Sequence, residues 1–169
     1  MYYQLVIKKE RKLESGAVAV PGYMQMKTGK DYMVDSKVLA SGATSRIFGG
    51  RLTSPMFIEQ SKGVKAVAVK IINPNVEQND SNIFYYEIAM LYSVRKCDNI
   101  VQMIGYNDAP KSIIMKLYKF NLKEMLAKRS FKVDHVMARK IAHDLISGLS
   151  YIHENGIIHL NLCPRKKRL

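Results

Sequence analysis

Apolar positions along this chain recur first with a period near two and later with a period near four, and the change of period locates its elements. Residues 32–52, YMVDSKVLASGATSRIFGGRL, set two short β-type segments around a small-residue turn, the layout of a hairpin. After a linker containing Pro55, residues 64–72 (VKAVAVKII) form a valine-rich run suited to a half-buried or fully buried central strand. Two lysines interrupt it, Lys65 near its start and Lys70 deeper inside. Next, IFYYEIAMLYSVRK brings Phe84, Ile88, Leu91 and Val94 to one helical face, with Asn79 or Asp80 available as N-cap and Glu87 beside the stripe.

Residues 100–106 and 112–118 read as strands joined by the turn sequence NDAPK at 107–111. Beyond them the spacing predicts a short helix over 122–129 and a long one over 134–155, whose Val136, Ile141, Leu145, Leu149 and Ile152 form an apolar stripe ended by Gly156. The first 31 residues carry only a short strand-like run at 3–7 and the small-residue stretch SGAVAVPG, and read as a leader or variable extension. No internal repeat or low-complexity tract is present.

Composition narrows the class. A chain of 169 residues with 47% hydrophobic content has enough apolar mass for one domain with a core. The formal charge of +13 favours phosphate-bearing partners. The basic residues are scattered, with dense runs only at KKERK (8–12) and RKKR (165–168), and lack the interleaved aromatics of a specific nucleic-acid module. Cys97 and Cys163 stand far apart and suggest neither a metal cluster nor a disulfide framework, which points to a reducing, cytoplasmic setting. The opening MYYQLVIKKERK lacks the order of a secretory signal, and no apolar run approaches the roughly 18 residues of a transmembrane segment.

Three features suggest phosphate handling. The turn LASGATSRI lets backbone N–H groups approach an anion. Lys70, inside an apolar strand, needs a counter-charge unless it lies on an edge strand and reaches water. Glu87 is a candidate partner, although alone it reads as a solvated helix residue.

In this order, and followed by GIIHLNLCPRKKRL, these features resemble the N-lobe and first part of the C-lobe of a eukaryotic protein kinase over residues 32–169. The resemblance implies an α+β fold: a five-stranded antiparallel sheet plus a regulatory helix, then the first helices of an incomplete helical C-lobe. It divides the chain into an extension (1–31), an N-lobe-like unit (32–118) and a partial C-lobe (119–169). VAVK at 67–70 resembles the kinase V-A-I-K motif, so Lys70 is expected to reach the α- and β-phosphates of ATP and to pair with Glu87. IIMKLY resembles the strand entering the hinge, which makes Met115 the gatekeeper and assigns backbone groups of Lys116 and Tyr118 to the adenine. Ile47 and Ala68 are expected to sandwich that ring, with Leu39 and Gly42 completing the ATP or ADP site.

The departures from the family bear on catalysis. The glycine-loop positions read Ala40, Gly42 and Ser45, with Ile47 at the valine position. H-R-D-L-x-x-x-N becomes HLNLCPRK at 159–166. Asn161 occupies the position of the catalytic base, and a neutral amide cannot accept the substrate proton. Lys166 replaces the asparagine that holds magnesium, Leu160 replaces the arginine, and Arg165 matches the tyrosine-kinase-like form H-R-D-L-A-A-R-N. No D-F-G or A-P-E follows, so no protein ligand for magnesium is identified and the domain reads as truncated. His135, His143 and His153 read as surface residues, His159 and Cys163 as packed ones.

These residues imply an ATP-binding, kinase-like domain whose family transfers the ATP γ-phosphate to protein hydroxyls, here expected to be inactive. The alternatives are a non-catalytic scaffold that binds a protein partner, or a fragment of a longer active kinase.

Overall fold

The alternation Val67, Ala68, Val69, Lys70 sends successive side chains to opposite faces of a sheet, and the fold covers both faces. In the computed structural model, which describes residues 5–6, 19–74, 82–128, 132–159 and 162, the elements run as follows. Strand β1 (Leu5–Val6) precedes a 3-10 turn (Gly22–Met24), then come β2 (Tyr32–Ser41), β3 (Ser45–Leu52), helix α1 (Pro55–Gln60) and β4 (Ala66–Ile72). Helix α2 (Asn82–Ser93), β5 (Met103–Asp108) and β6 (Lys111–Lys116) follow, and then α3 (Leu122–Ala127), α4 (His135–Glu154) and β7 (Ile158–His159).

Strands β2 to β6 form an antiparallel five-stranded sheet in the order β2-β3-β4-β6-β5. This is the expected α+β architecture. One face packs Ile47, Ala68, Ile72, Ile113 and Met115 against Phe84, Ile88 and Leu91 of α2. On the other, Val67, Val69 and Ile114 pack with Tyr32, Leu52, Phe57 and Met26.

Two stretches differ from the sequence reading. Pro55 opens a helix instead of lying in a linker: it sits in the first turn of α1, where its missing N–H costs nothing, and Phe57 of that helix is buried. Part of the expected leader is core. Met26 is fully buried, and Met24 joins the α2 side of the sheet. The Met26 N–H donates to Tyr106 O at 2.7 Å, and Gly105 makes this approach feasible, because a Cβ there would lie 2.6 Å from Met24 O and 2.5 Å from Met26 Sδ. The Asn107 amide closes the same seam by donating to Thr28 Oγ1 and the Tyr32 hydroxyl.

Helix α3 begins with a capping box between Asn121 and Glu124, and α4 with Asp134, whose carboxylate accepts from the Met137 N–H at 2.8 Å. Gly156 ends α4 with φ of +73°, a left-handed conformation in which its N–H reaches His153 O. Among the described residues the buried positions of α4 lie in its C-terminal part. Ile152 packs with Val94 and Ile157, and Gly148 lies against Asn99. Strand β7 then pairs antiparallel with β1, His159 opposite Leu5. The expected N-cap pair Asn79 and Asp80 lies outside the described residues.

Candidate functional site

Lys70 lies on the α2 side of β4, between Ala68 and Ile72. Since β4 is flanked by β3 and β6, the edge-strand alternative does not apply: the side chain is 4% exposed and cannot reach bulk water. Its Nζ donates to both carboxylate oxygens of Glu87, at 2.5 Å and 2.6 Å. Phe84, Ile88 and Leu91 seat α2 on the sheet, and that seating carries Glu87 to the ammonium. A buried ammonium is costly without such a partner. At the start of α2, Lys111 Nζ stands 5.6 Å from the centre of the Tyr85 ring, and the Tyr85 hydroxyl donates to Asp108. These contacts tie the helix to the β5–β6 hairpin.

Strand register brings Ile47, Ala68 and Met115 to the face that carries Lys70. Ile47 is opposite Lys70, and Ala68 is opposite Met115; all of them are buried. This gives a flat apolar surface ending at a paired ammonium. Leu39 is 41% exposed near the end of β2, one residue from the register pair Ala40 and Ile47. Gly42 closes the β2–β3 turn by donating its N–H to Ser45 O at 2.9 Å.

Asn73, just beyond β4, holds this turn in place. Its side chain donates to Ala43 O at 2.8 Å and its N–H to Thr44 O at 2.9 Å. At the other end of the surface the Lys116 N–H donates to Gln102 O at 2.9 Å. Tyr118 is half-buried, and burial raises its hydroxyl above the ordinary pKa, opposed by a backbone hydrogen bond with Gln102 and reinforced by Asp98.

Sequence reasoning missed two members of this region. Asn73 follows a strand end, and its only signal in the sequence is the tendency of asparagine to bond nearby backbone. Ser45 was read as a small replacement for a loop glycine, yet it is fully buried and its Oγ has no hydrogen-bond partner among the described residues. As a chemical set, the face offers apolar cover for an aromatic ring, a fixed cation and a hydroxyl donor, which fits a nucleotide.

Asn161 and Lys166, with Leu160, Cys163 and Arg165, lie outside the described residues. His159, half-buried in β7, marks where that stretch begins. His135, His143 and His153 are exposed on α4.

Residues 33–166 match the family of protein tyrosine and serine/threonine kinases. The chain belongs to the protein kinase family. A probable serine/threonine-protein kinase of Encephalitozoon cuniculi is 33% identical over 128 residues, covering 75% of this chain and 22% of that protein. A serine/threonine-protein kinase of Arabidopsis thaliana is 30% identical over 129 residues, 68% of this chain and 21% of the relative. A tyrosine-protein kinase of Gallus gallus is 28% identical over 112 residues, 64% and 18% of the respective chains. This kinase chain thus spans about a fifth of the length of these three relatives. No described helix is long and apolar enough to cross a membrane.

Proposed function

We propose that this kinase domain binds ATP or ADP on the α2 side of its sheet and that it does not transfer the γ-phosphate efficiently. The observation that carries the reading is the buried Lys70–Glu87 pair, with Lys70 opposite Ile47 of the β2–β3 hairpin. In this assignment Lys70 Nζ contacts the α- and β-phosphates while Glu87 holds the ammonium in place. Ile47 and Ala68 cover the adenine together with Leu39, Met115 closes the rear of the surface, and the Lys116 carbonyl and the Tyr118 backbone meet the ring edge. Gly42 allows the turn to approach the phosphates.

Bound ATP supplies the phosphoryl group that kinases pass to a protein Ser, Thr or Tyr hydroxyl. At the sequence positions of the family's base and magnesium-holding asparagine this chain has Asn161, whose amide cannot remove the proton from that hydroxyl, and Lys166, a cation. The domain limits proposed are an extension over 1–31, whose Met24 and Met26 pack onto the sheet, an N-lobe unit over 32–118 and a partial C-lobe over 119–169.

The test is thermal stabilisation of the full chain by ATP and ADP, with and without magnesium, alongside a phosphotransfer assay. Stabilisation that disappears in Lys70→Met, without phosphotransfer by the wild type, is the expected result. Phosphotransfer that depends on Lys70 would overturn the inactive assignment.

A second reading, a scaffold that binds a protein partner, is favoured by α4, where Val136 and Ile146 are each 63% exposed. Absence of stabilisation under every magnesium condition would select it.

A further inference from the structure

We propose that Ser45 is a phosphate-positioning residue of the nucleotide site, its hydroxyl donating to an oxygen of the phosphate held by Lys70; this rests on the ATP-binding reading above. Ser45 opens β3 opposite Ile72, and two residues later Ile47 stands opposite Lys70. The alternation of a strand therefore places the side chains of Ser45, Ile47 and Lys70 on one sheet face. Ser45 and Lys70 are diagonal neighbours on adjacent strands, a relation that separates such positions by about 7–8 Å.

The hydroxyl is in an unusual state. Ser45 has 0% exposure, and its Oγ has no hydrogen-bond partner among the described residues. Buried polar atoms are seldom left this way, because losing water without gaining a partner costs free energy. The nearby acceptors are already engaged: Ala43 O and Thr44 O accept from Asn73, and Ser45 O accepts from the Gly42 N–H. A phosphate oxygen beside the Lys70 ammonium would satisfy the hydroxyl with a charge-assisted bond. Ser45 follows residues 42–44 directly and is fully buried, so a phosphate reaches it only if that turn moves. The Asn73–Ala43 bond that restrains the turn is itself solvent-exposed.

Glycine at this position would offer no side-chain donor, so the contact belongs to the serine of this chain. An unpartnered hydroxyl also has a consequence in the free protein. Its removal takes away no hydrogen bond among the described residues and relieves a desolvation cost, so Ser45→Ala stabilises the unliganded fold or leaves it unchanged.

The experiment is calorimetric titration of the full chain, as wild type, Ser45→Ala and Ser45→Gly, with ATP and with adenosine in magnesium buffer, plus the melting temperature of each unliganded protein. Loss of one charge-assisted donor should weaken ATP binding about ten-fold or more in both variants. Adenosine binding should stay within about two-fold, since it lacks the phosphate. Unliganded Ser45→Ala should melt at or above the wild-type temperature.

Equal ATP affinity in wild type and variants would overturn the role of Ser45 while leaving the nucleotide reading intact. An equal loss for adenosine, or a melting temperature several degrees lower in Ser45→Ala, would show a structural role and also overturn it. No ATP binding by a folded wild type would overturn both readings.

Discussion

The sheet with α2 and the long helix α4 are both built from amphipathic segments, yet one buries its apolar face and the other leaves much of it at the surface. In the sheet, Val67, Val69, Ile113 and Ile114 have no exposure, and helix α2 contributes Phe84 and Ile88 at 2% each. On α4 the buried residues are Gly148 and Ile152, whereas Ile141, Leu145 and Leu149 are half-buried and Ile146 is 63% exposed. Local signals are complete in α4, with an N-cap at Asp134 and a left-handed stop at Gly156. Capping and periodicity therefore determine that a helix forms, and packing determines how much it adds to the stability of the molecule.

The largest test of the comparison is Lys70→Met. Removing one member of the buried pair leaves Glu87 uncompensated, and chemical denaturation should show a loss of about 3–5 kcal/mol. The double variant Lys70→Met, Glu87→Met should regain much of that loss; failure to regain it would mean that the charge is not what is being left unpaired. Next comes Ile113→Ala, which opens a cavity between sheet and α2 and should cost about 2–5 kcal/mol.

Asp134→Ala removes the cap of α4, worth about 0.5–2 kcal/mol to the helix. If α4 melts separately from the sheet, circular dichroism should show early loss of helix while the sheet transition stays in place. A shift of the whole transition would join the two regions into one cooperative unit. The smallest effect belongs to Ile146→Glu, expected within about 0.5 kcal/mol of wild type, because the side chain is already mostly in water. Light scattering should detect less self-association in this variant, and an unchanged size distribution would count against α4 as an adhesive face.

Much of the sheet was legible because β-type runs mark β2, β3 and β4 and because NDAPK holds the Ala109–Pro110 turn between β5 and β6, its other residues belonging to the strand ends. The pairing of Lys70 with Glu87 was legible as a need: an ammonium within an apolar strand requires a carboxylate, and α2 supplies one beside its stripe. The MQM of residues 24–26 carried a period-two signal too short to separate from a leader, and its burial depends on Gly105 in a distant strand. Pro55 misled for a related reason, since proline marks both linkers and first helical turns, and only the burial of Phe57 distinguishes them here. The roles of Asn73 and Ser45 depend on a turn whose closure cannot be seen in a linear pattern.

By itself, the sequence determined the alternation that makes β4 a two-faced strand, the caps that bound α4 and the charge on Lys70 that demands a partner. Those are local properties, set by residues a few positions apart. Only the tertiary structure decided that β4 lies at the centre of the sheet, that Glu87 is the partner reached, that Met26 belongs to the core and that the Ser45 hydroxyl is enclosed without a partner among the described residues. Each of these depends on strand register and helix seating, which bring together groups far apart in the chain and remove water from between them.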